Sequence, residues 1–246
     1  MEKKYKLTEE TLEIDGHVLH RIMALRDFGD VRKGDFGGWV ENEDNLSHDD
    51  DCWVYNNAQV YGEARVYGDA IVYGKARVCG KAEVCGEAEV YGKAIVCGEA
   101  EVYGEAEVYG EAEVYGKARV CGEARVCGKA EVYGDAIVYG KARVCGKAEV
   151  YGDAIVYGKA RVCGKARVCG KARVEKKSDY IVFKNWWSSG RYFTWTRSND
   201  MWAVGCFLGT GEELIKKAYA DSEEKGREYE RIVKYVESIK SEINKQ

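Results

Sequence analysis

The residues able to do chemistry in this 246-residue chain are three histidines, ten cysteines, a basic stretch and a cluster of tryptophans. His17, His20 and His48 all lie in the first 50 residues. An imidazole titrates near neutrality, so each is a candidate general base. Eight of the cysteines alternate with tyrosine at one recurring position, which reads as a choice of filler and not as a framework of paired sites. No C-x-x-C occurs, so thiolate zinc spacing is absent. Stacked cysteines would point the same way, which strains a cross-link between them.

The basic stretch runs from Lys141 to Arg173, after a run rich in glutamate from Glu83 to Glu113. Tyr139, Lys141, Arg143, Tyr157, Lys159 and Arg161 are candidate binding residues, because arginine interleaved with tyrosine suits phosphates and stacked bases. The bland alternative is a solvated surface copied by repeat duplication. A second candidate set is Trp186, Trp187, Arg191, Trp195 and Arg197. An exposed Trp186–Trp187 pair would suit a binding hot spot. Otherwise the tryptophans serve as the core of a small domain.

These residues must be positioned by a repeat. From Val54 to Val174 a valine falls at every sixth residue, giving twenty hexads without a slip. Tyrosine or cysteine comes second, glycine third (Asn56 once) and alanine fifth. Each A-x-V-Y unit is expected as a four-residue strand with alanine and valine on one face. Glycine and the next polar residue form a corner, where glycine takes positive φ at no steric cost. Three sides close a triangle of 18 residues, and coils stacked at about 4.8 Å make a rod about 30 Å long. Residues 18 apart then form columns. Stacked tyrosine rings would contribute about 0.5–1.5 kcal/mol per contact. Proline is absent, which suits an uninterrupted ladder.

Val60-Tyr61-Gly62-Glu63-Ala64-Arg65 and its sister units resemble the bacterial transferase hexapeptide repeat, well over Val54–Val174 and weakly over Phe36–Trp53. The resemblance implies a mainly β fold, a left-handed triangular parallel β-helix. The general rule for parallel crossovers gives the opposite hand. It also implies acyl transfer by a histidine base beside a projecting loop, or zinc held by three histidines. Here no loop interrupts a hexad, and no histidine lies within the regular coils. The repeat has no threonine rows, against an ice-binding surface. The flank from Arg21 to His48 is more narrowly similar to hexapeptide-repeat proteins of bacteriophages and prophages.

Three regions are expected. Residues 1–35 form a β-hairpin cap turning at Asp15-Gly16. Residues 36–174 form the β-helix, with 36–53 as degenerate hexads in the same phase, Val40, Leu46 and Cys52 filling the small inward position. Residues 175–246 form an α+β domain: strands at Tyr180–Phe183, Arg191–Thr196 and Met201–Phe207, a capping box at Thr210–Glu213, and helices reaching to about Asn244.

Composition gives a net charge of −4, no run of apolar residues long enough to span a membrane, and an N-terminus lacking a signal-peptide core. The expectation is a soluble cytoplasmic protein with free thiols. It has no catalytic residue, metal site or cofactor, and acts by binding a protein partner or by self-association. By the narrower resemblance it is phage-encoded and inhibits a host component. The alternatives are a nucleic-acid or nucleotide binder using the Arg/Tyr face, and a hexapeptide-type acyltransferase drawing its base from the N-terminal histidines.

Overall fold

A computed structural model describes residues 3–243. The chain opens with β1 (Tyr5–Ile14) and β2 (His17–Ala24), an antiparallel pair turning at Asp15 and Gly16 with φ of 50° and 82°. These are the left-handed values a two-residue hairpin demands. β2 pairs antiparallel with β3 (Phe36–Val40), and β3 pairs parallel with Gln59–Val60. The hairpin thus extends one wall of the solenoid.

The solenoid is parallel throughout, with three sheets as its walls. Each rung pairs with the rung 18 residues on, as Glu89 with Glu107 and Val90 with Val108. Most rungs are only two residues long, x-V. The four-residue form appears at Glu101–Gly104, Glu107–Gly110, Arg119–Gly122 and Arg125–Gly128. The expected A-x-V-Y strand is therefore too long. Alanine still bonds between coils, but it sits where the backbone is already bending. Each hexad links to the next coil by three bonds, shown by Glu89 N–H to Ala106 O (2.9 Å), Tyr91 N–H to Val108 O (2.9 Å) and Lys93 N–H to Gly110 O (2.7 Å).

Valine and alanine columns fill the interior, nearly all at 0% exposure. At the corners, Gly92 has φ of 74°, and a Cβ placed there would stand 3.0 Å from the backbone N and O of Gly110. Both hand and crowding therefore require glycine. Asn56, the one substitute, also has positive φ (56°), a region asparagine tolerates.

The opening coil departs from the expected phase. Val40 pairs with Val60 and Leu46 bridges Val66, a spacing of 20, whereas Trp53 pairs with Ile71 and Val54 with Val72, a spacing of 18. Two extra residues enter in the loop between Leu46 and Trp53. Val40 and Leu46 consequently stand in the valine column, not the small one. Cys52 alone of the three holds the small position, beside Trp53 in the rung that follows. The end of the core is closed by Tyr5, Phe28 and Trp53, each less than a tenth exposed, with Trp53 edge-on to the other two.

Beyond Val174 a four-stranded antiparallel sheet forms from Tyr180–Lys184, Tyr192–Thr196, Met201–Val204 and Phe207–Gly209. The expected strand Met201–Phe207 is broken at Gly205, whose φ of 56° turns the chain back. Thr210 caps α1 (Gly211–Asp221): its hydroxyl accepts from Glu213 N–H, and the Glu213 carboxylate accepts from Thr210 N–H. α2 (Glu223–Ile243) buries Tyr229, Ile232, Val233 and Val236 against Phe193, Trp195 and Trp202. Asn244, the expected end of this helix, lies outside the described residues.

The sheet is fastened to the last coil by side chains. Arg167 N–H donates to Thr194 Oγ1 (3.0 Å), Arg173 N–H to Ser198 Oγ (2.6 Å), Asn199 Nδ2 to Cys169 O (3.3 Å) and Tyr180 OH to Arg161 O (2.7 Å). These bonds satisfy a solenoid edge that would otherwise offer a template for another strand.

Candidate functional site

The basic residues expected to act together do share one wall. Lys141 and Arg143 sit one coil before Lys159 and Arg161, and Arg143 pairs in register with Arg161. Tyr139 and Tyr157 stand at the corner leading into this wall and stack at 5.4 Å. Other tyrosine columns stack more closely: Tyr73 on Tyr91 at 4.7 Å, Tyr91 on Tyr109 at 4.8 Å. Their hydroxyls donate to glutamates of the next coil, as Tyr73 to Glu89 at 3.2 Å. Burial first, and the Glu89 carboxylate second, push the Tyr73 phenol up to about 12. These columns are neutral ladders at ordinary pH.

The tryptophan set divides. Trp195 is in the core at 2% exposure, its indole N–H donating to Asp200 (2.7 Å), and Arg197 is held against Asp179 at 3.6 Å. Trp186 and Trp187 stand out at 74% and 65% exposure, on the turn between Lys184 and Tyr192. The Lys184 ammonium lies 3.2 Å from the centre of the Trp186 ring, and Trp187 donates to Glu228.

Between the last coils and the terminal sheet runs an open groove of about 610 Å³, lined by the cations Lys129, Lys147, Lys165, Arg167 and Arg191, by the carboxylates Glu131 and Glu149, and by Tyr192. Lys165 and Lys184 both lie over the Tyr192 ring, at 5.0 and 5.3 Å. Arg167 is occupied by Glu149 and the Tyr151 hydroxyl. Lys129 pairs with Glu111, while Lys147 and Lys165 have no ion-pair partner among the described residues. The expected Arg191 belongs here. Lys129, Lys147 and Lys165 were missing from the expected site, although their 18-residue spacing marks them as a column. Lys184 and Tyr192 had no such signal.

The histidines gather near the hairpin. His48 stacks on Tyr5 (4.3 Å), and its Nδ1 accepts from the Lys4 backbone N–H (3.2 Å). The neutral ring therefore carries its proton on Nε2, 3.8 Å from Glu43. Burial lowers its pKa, with Glu43 opposing. In that tautomer His48 is a donor, not a base. His20 Nδ1–H donates to Thr8 O (3.0 Å). His17 Nδ1 meets Glu41 Oε1 at 2.9 Å, an arrangement that fixes the proton on Nδ1 and leaves Nε2 as acceptor. Glu41 also accepts from Gly62 N–H (2.6 Å). Burial works to raise the Glu41 pKa, but the bonds from His17 and Gly62 outweigh it and hold the carboxyl low.

Among the described residues no group of three or more His, Cys, Asp or Glu is placed to hold a metal ion, and no helix is long and apolar enough to cross a membrane.

Two overlapping stretches, residues 58–74 and 64–80, match the family model described as YdcK Beta solenoid repeat. A protein of Escherichia coli (strain K12) named Uncharacterized acetyltransferase YdcK is 37% identical over 62 residues, which cover 22% of this chain and 19% of that protein. Together with the coil geometry, these matches fit a hexapeptide-repeat β-helix superfamily. They also overturn the expectation that the chain is no enzyme, because the matched relative bears the name of an acetyltransferase. That expectation rested on unbroken hexads. A histidine–carboxylate contact, His17 with Glu41, does stand outside them, where the hairpin meets the first coils.

Proposed function

We propose that this chain is a β-solenoid binding protein whose recognition site is the groove between its last coils and its terminal sheet. The ligand is anionic and carries an aromatic group. The carrying observation is the cluster of Lys165 and Lys184 about Tyr192, rimmed by the exposed Trp186. Cations are held here beside aromatic faces, so a phosphate and a ring can be met within one span. Coenzyme A combines both groups and serves as the probe. Calorimetric titration is expected to show binding that weakens with salt and is lost in Lys147→Glu/Lys165→Glu. No heat with coenzyme A or with ATP would sink the reading.

A second reading is acetyl transfer, favoured by the His17–Glu41 pair and by the name of the matched relative. His17 Nε2 would take the proton from an acceptor hydroxyl or amine, and Glu41 would orient the ring and stabilise the imidazolium. Turnover of acetyl-CoA with a panel of amine and hydroxyl acceptors tests it. Turnover unchanged in His17→Asn would remove this histidine from the chemistry.

A further inference from the structure

Charge on one wall of the solenoid is sorted by coil. In ascending order its outward pairs are Asp69 and Ile71, Glu87 and Glu89, Glu105 and Glu107, Glu123 and Arg125, Lys141 and Arg143, then Lys159 and Arg161. Two coils carry paired carboxylates, one coil is neutral, and two carry paired cations. The pattern is antisymmetric about the coil of Glu123 and Arg125. Within the chain only the boundary is neutralised, by Arg125 to Glu107 (2.7 Å) and Lys141 to Glu123 (2.9 Å). Glu87, Glu89, Glu105, Arg143, Lys159 and Arg161 have no ion-pair partner among the described residues, and Arg143 Nε is buried without a hydrogen bond.

We propose that this wall docks onto the same wall of a second copy, with the two rods antiparallel. A two-fold axis across the wall at Glu123 and Arg125 keeps each column opposite itself and reverses the coil order. Glu105 then faces Lys141 of the other copy, Glu107 faces Arg143, Glu87 faces Lys159 and Glu89 faces Arg161. At the axis Glu123 faces Glu123 and Arg125 faces Arg125, each also diagonal to the opposite charge of the other copy, so this coil is neutral while the four outer pairings are all opposite in sign. The parallel arrangement would put glutamate against glutamate and arginine against arginine, so the charge pattern selects one orientation. The wall is open over the coils from Glu87 to Arg143, and at its far end the Tyr180 hydroxyl bonds the Arg161 backbone carbonyl. Asp15 of the hairpin reaches Tyr61 and Arg77 on a different wall, and the terminal sheet overhangs Lys129, Lys147 and Lys165 on that same different wall. Because coil spacing is common to both copies, one matched pair brings the rest into register.

Sedimentation equilibrium of the full chain tests this. At low salt the expected mass is twice the 27.6 kDa of the chain, returning to the single value at high salt, where screening shortens to about 3 Å at 1 M. Glu87→Lys/Glu105→Lys sets lysine against Lys141 and Lys159 along the first column, and Lys141→Glu/Lys159→Glu sets glutamate against Glu87 and Glu105, while the pairings of Glu89 with Arg161 and Glu107 with Arg143 are left in place. All four positions are exposed, so both variants keep the fold, which their circular dichroism checks. Each variant alone is expected to be monomeric, and an equimolar mixture to recover the doubled mass. A monomeric wild type at low salt, a trimer, a dimer indifferent to salt, or either variant dimerising alone overturns the proposal. None of the four residues lines the groove of the proposed ligand, so failure here leaves that reading standing.

Discussion

Lys4 and Cys52 meet in the interior: the Lys4 ammonium donates to the Cys52 carbonyl at 2.8 Å and lies 3.2 Å from its sulfur. The same ammonium donates to the carbonyls of Asp49 and Asp50, both at 3.2 Å, and Lys4 is 0% exposed. Burial lowers its pKa, and the neighbouring Cys52 opposes. One cation thus ties up the carbonyls of the loop that holds the two extra residues. Lys4→Met keeps the volume but leaves three carbonyls without a donor. It should destabilise the chain by roughly 3 kcal/mol, read as a lower urea midpoint with unchanged slope.

The corner at Gly92 makes a sharper test of the coil. Gly92→Ala forces a Cβ to within 3.0 Å of the Gly110 backbone at a φ of 74°. The left-handed conformation alone costs about 1–2 kcal/mol. The same change at Gly164, where nothing lies within 4 Å, carries only that conformational cost. Gly92→Ala should therefore melt lower than Gly164→Ala in parallel thermal scans.

The His17–Glu41 pair predicts acid sensitivity of the cap. The folded pKa of Glu41 lies below its ordinary 4.5. Its stabilisation is present in full above that unfolded value and is lost as pH falls through the folded one. Protection factors of the β1 and β2 amides against hydrogen exchange should fall over that acid window, and Glu41→Gln should flatten the response.

Two tryptophans should behave oppositely. Trp202, 2% exposed between the sheet and α1, should cost about 3–5 kcal/mol on change to alanine. Trp186→Ala should leave stability within about 0.5 kcal/mol and still weaken coenzyme A binding. Equal melting losses in both would place Trp186 in the fold.

The triangular coil was legible because every hexad repeats the same instruction: Val and Ala inward, Gly at the turn. The opening coil was not, since the Ser47–Asp51 loop carries no periodic residue to betray two extra positions. The burial of Trp195 was not legible from alternation, because Phe193, Thr194, Trp195 and Thr196 are all buried and the strand is covered on both faces. Trp186 and Trp187 occupy an irregular turn where no period applies. A buried lysine at position 4 has no sequence signature at all. The His17–Glu41 contact joins residues 24 apart through strand pairing, which the hairpin signal alone did not extend to β3.

The 18-residue register works as a reading frame. Removing or adding 18 residues within Val54–Val174 would change the length of the rod by about 4.8 Å and subtract or add one coil's charges, but would leave every wall in phase. Removing six would turn everything downstream by about a third of a revolution, since one hexad makes one of three walls. Lys141 and Lys159 would then leave the wall of Glu87 and Glu105, and the terminal sheet would overhang a different side. Tandem-repeat slippage, so easy in a sequence this repetitive, thus keeps the walls in phase in multiples of three hexads and shifts the frame otherwise.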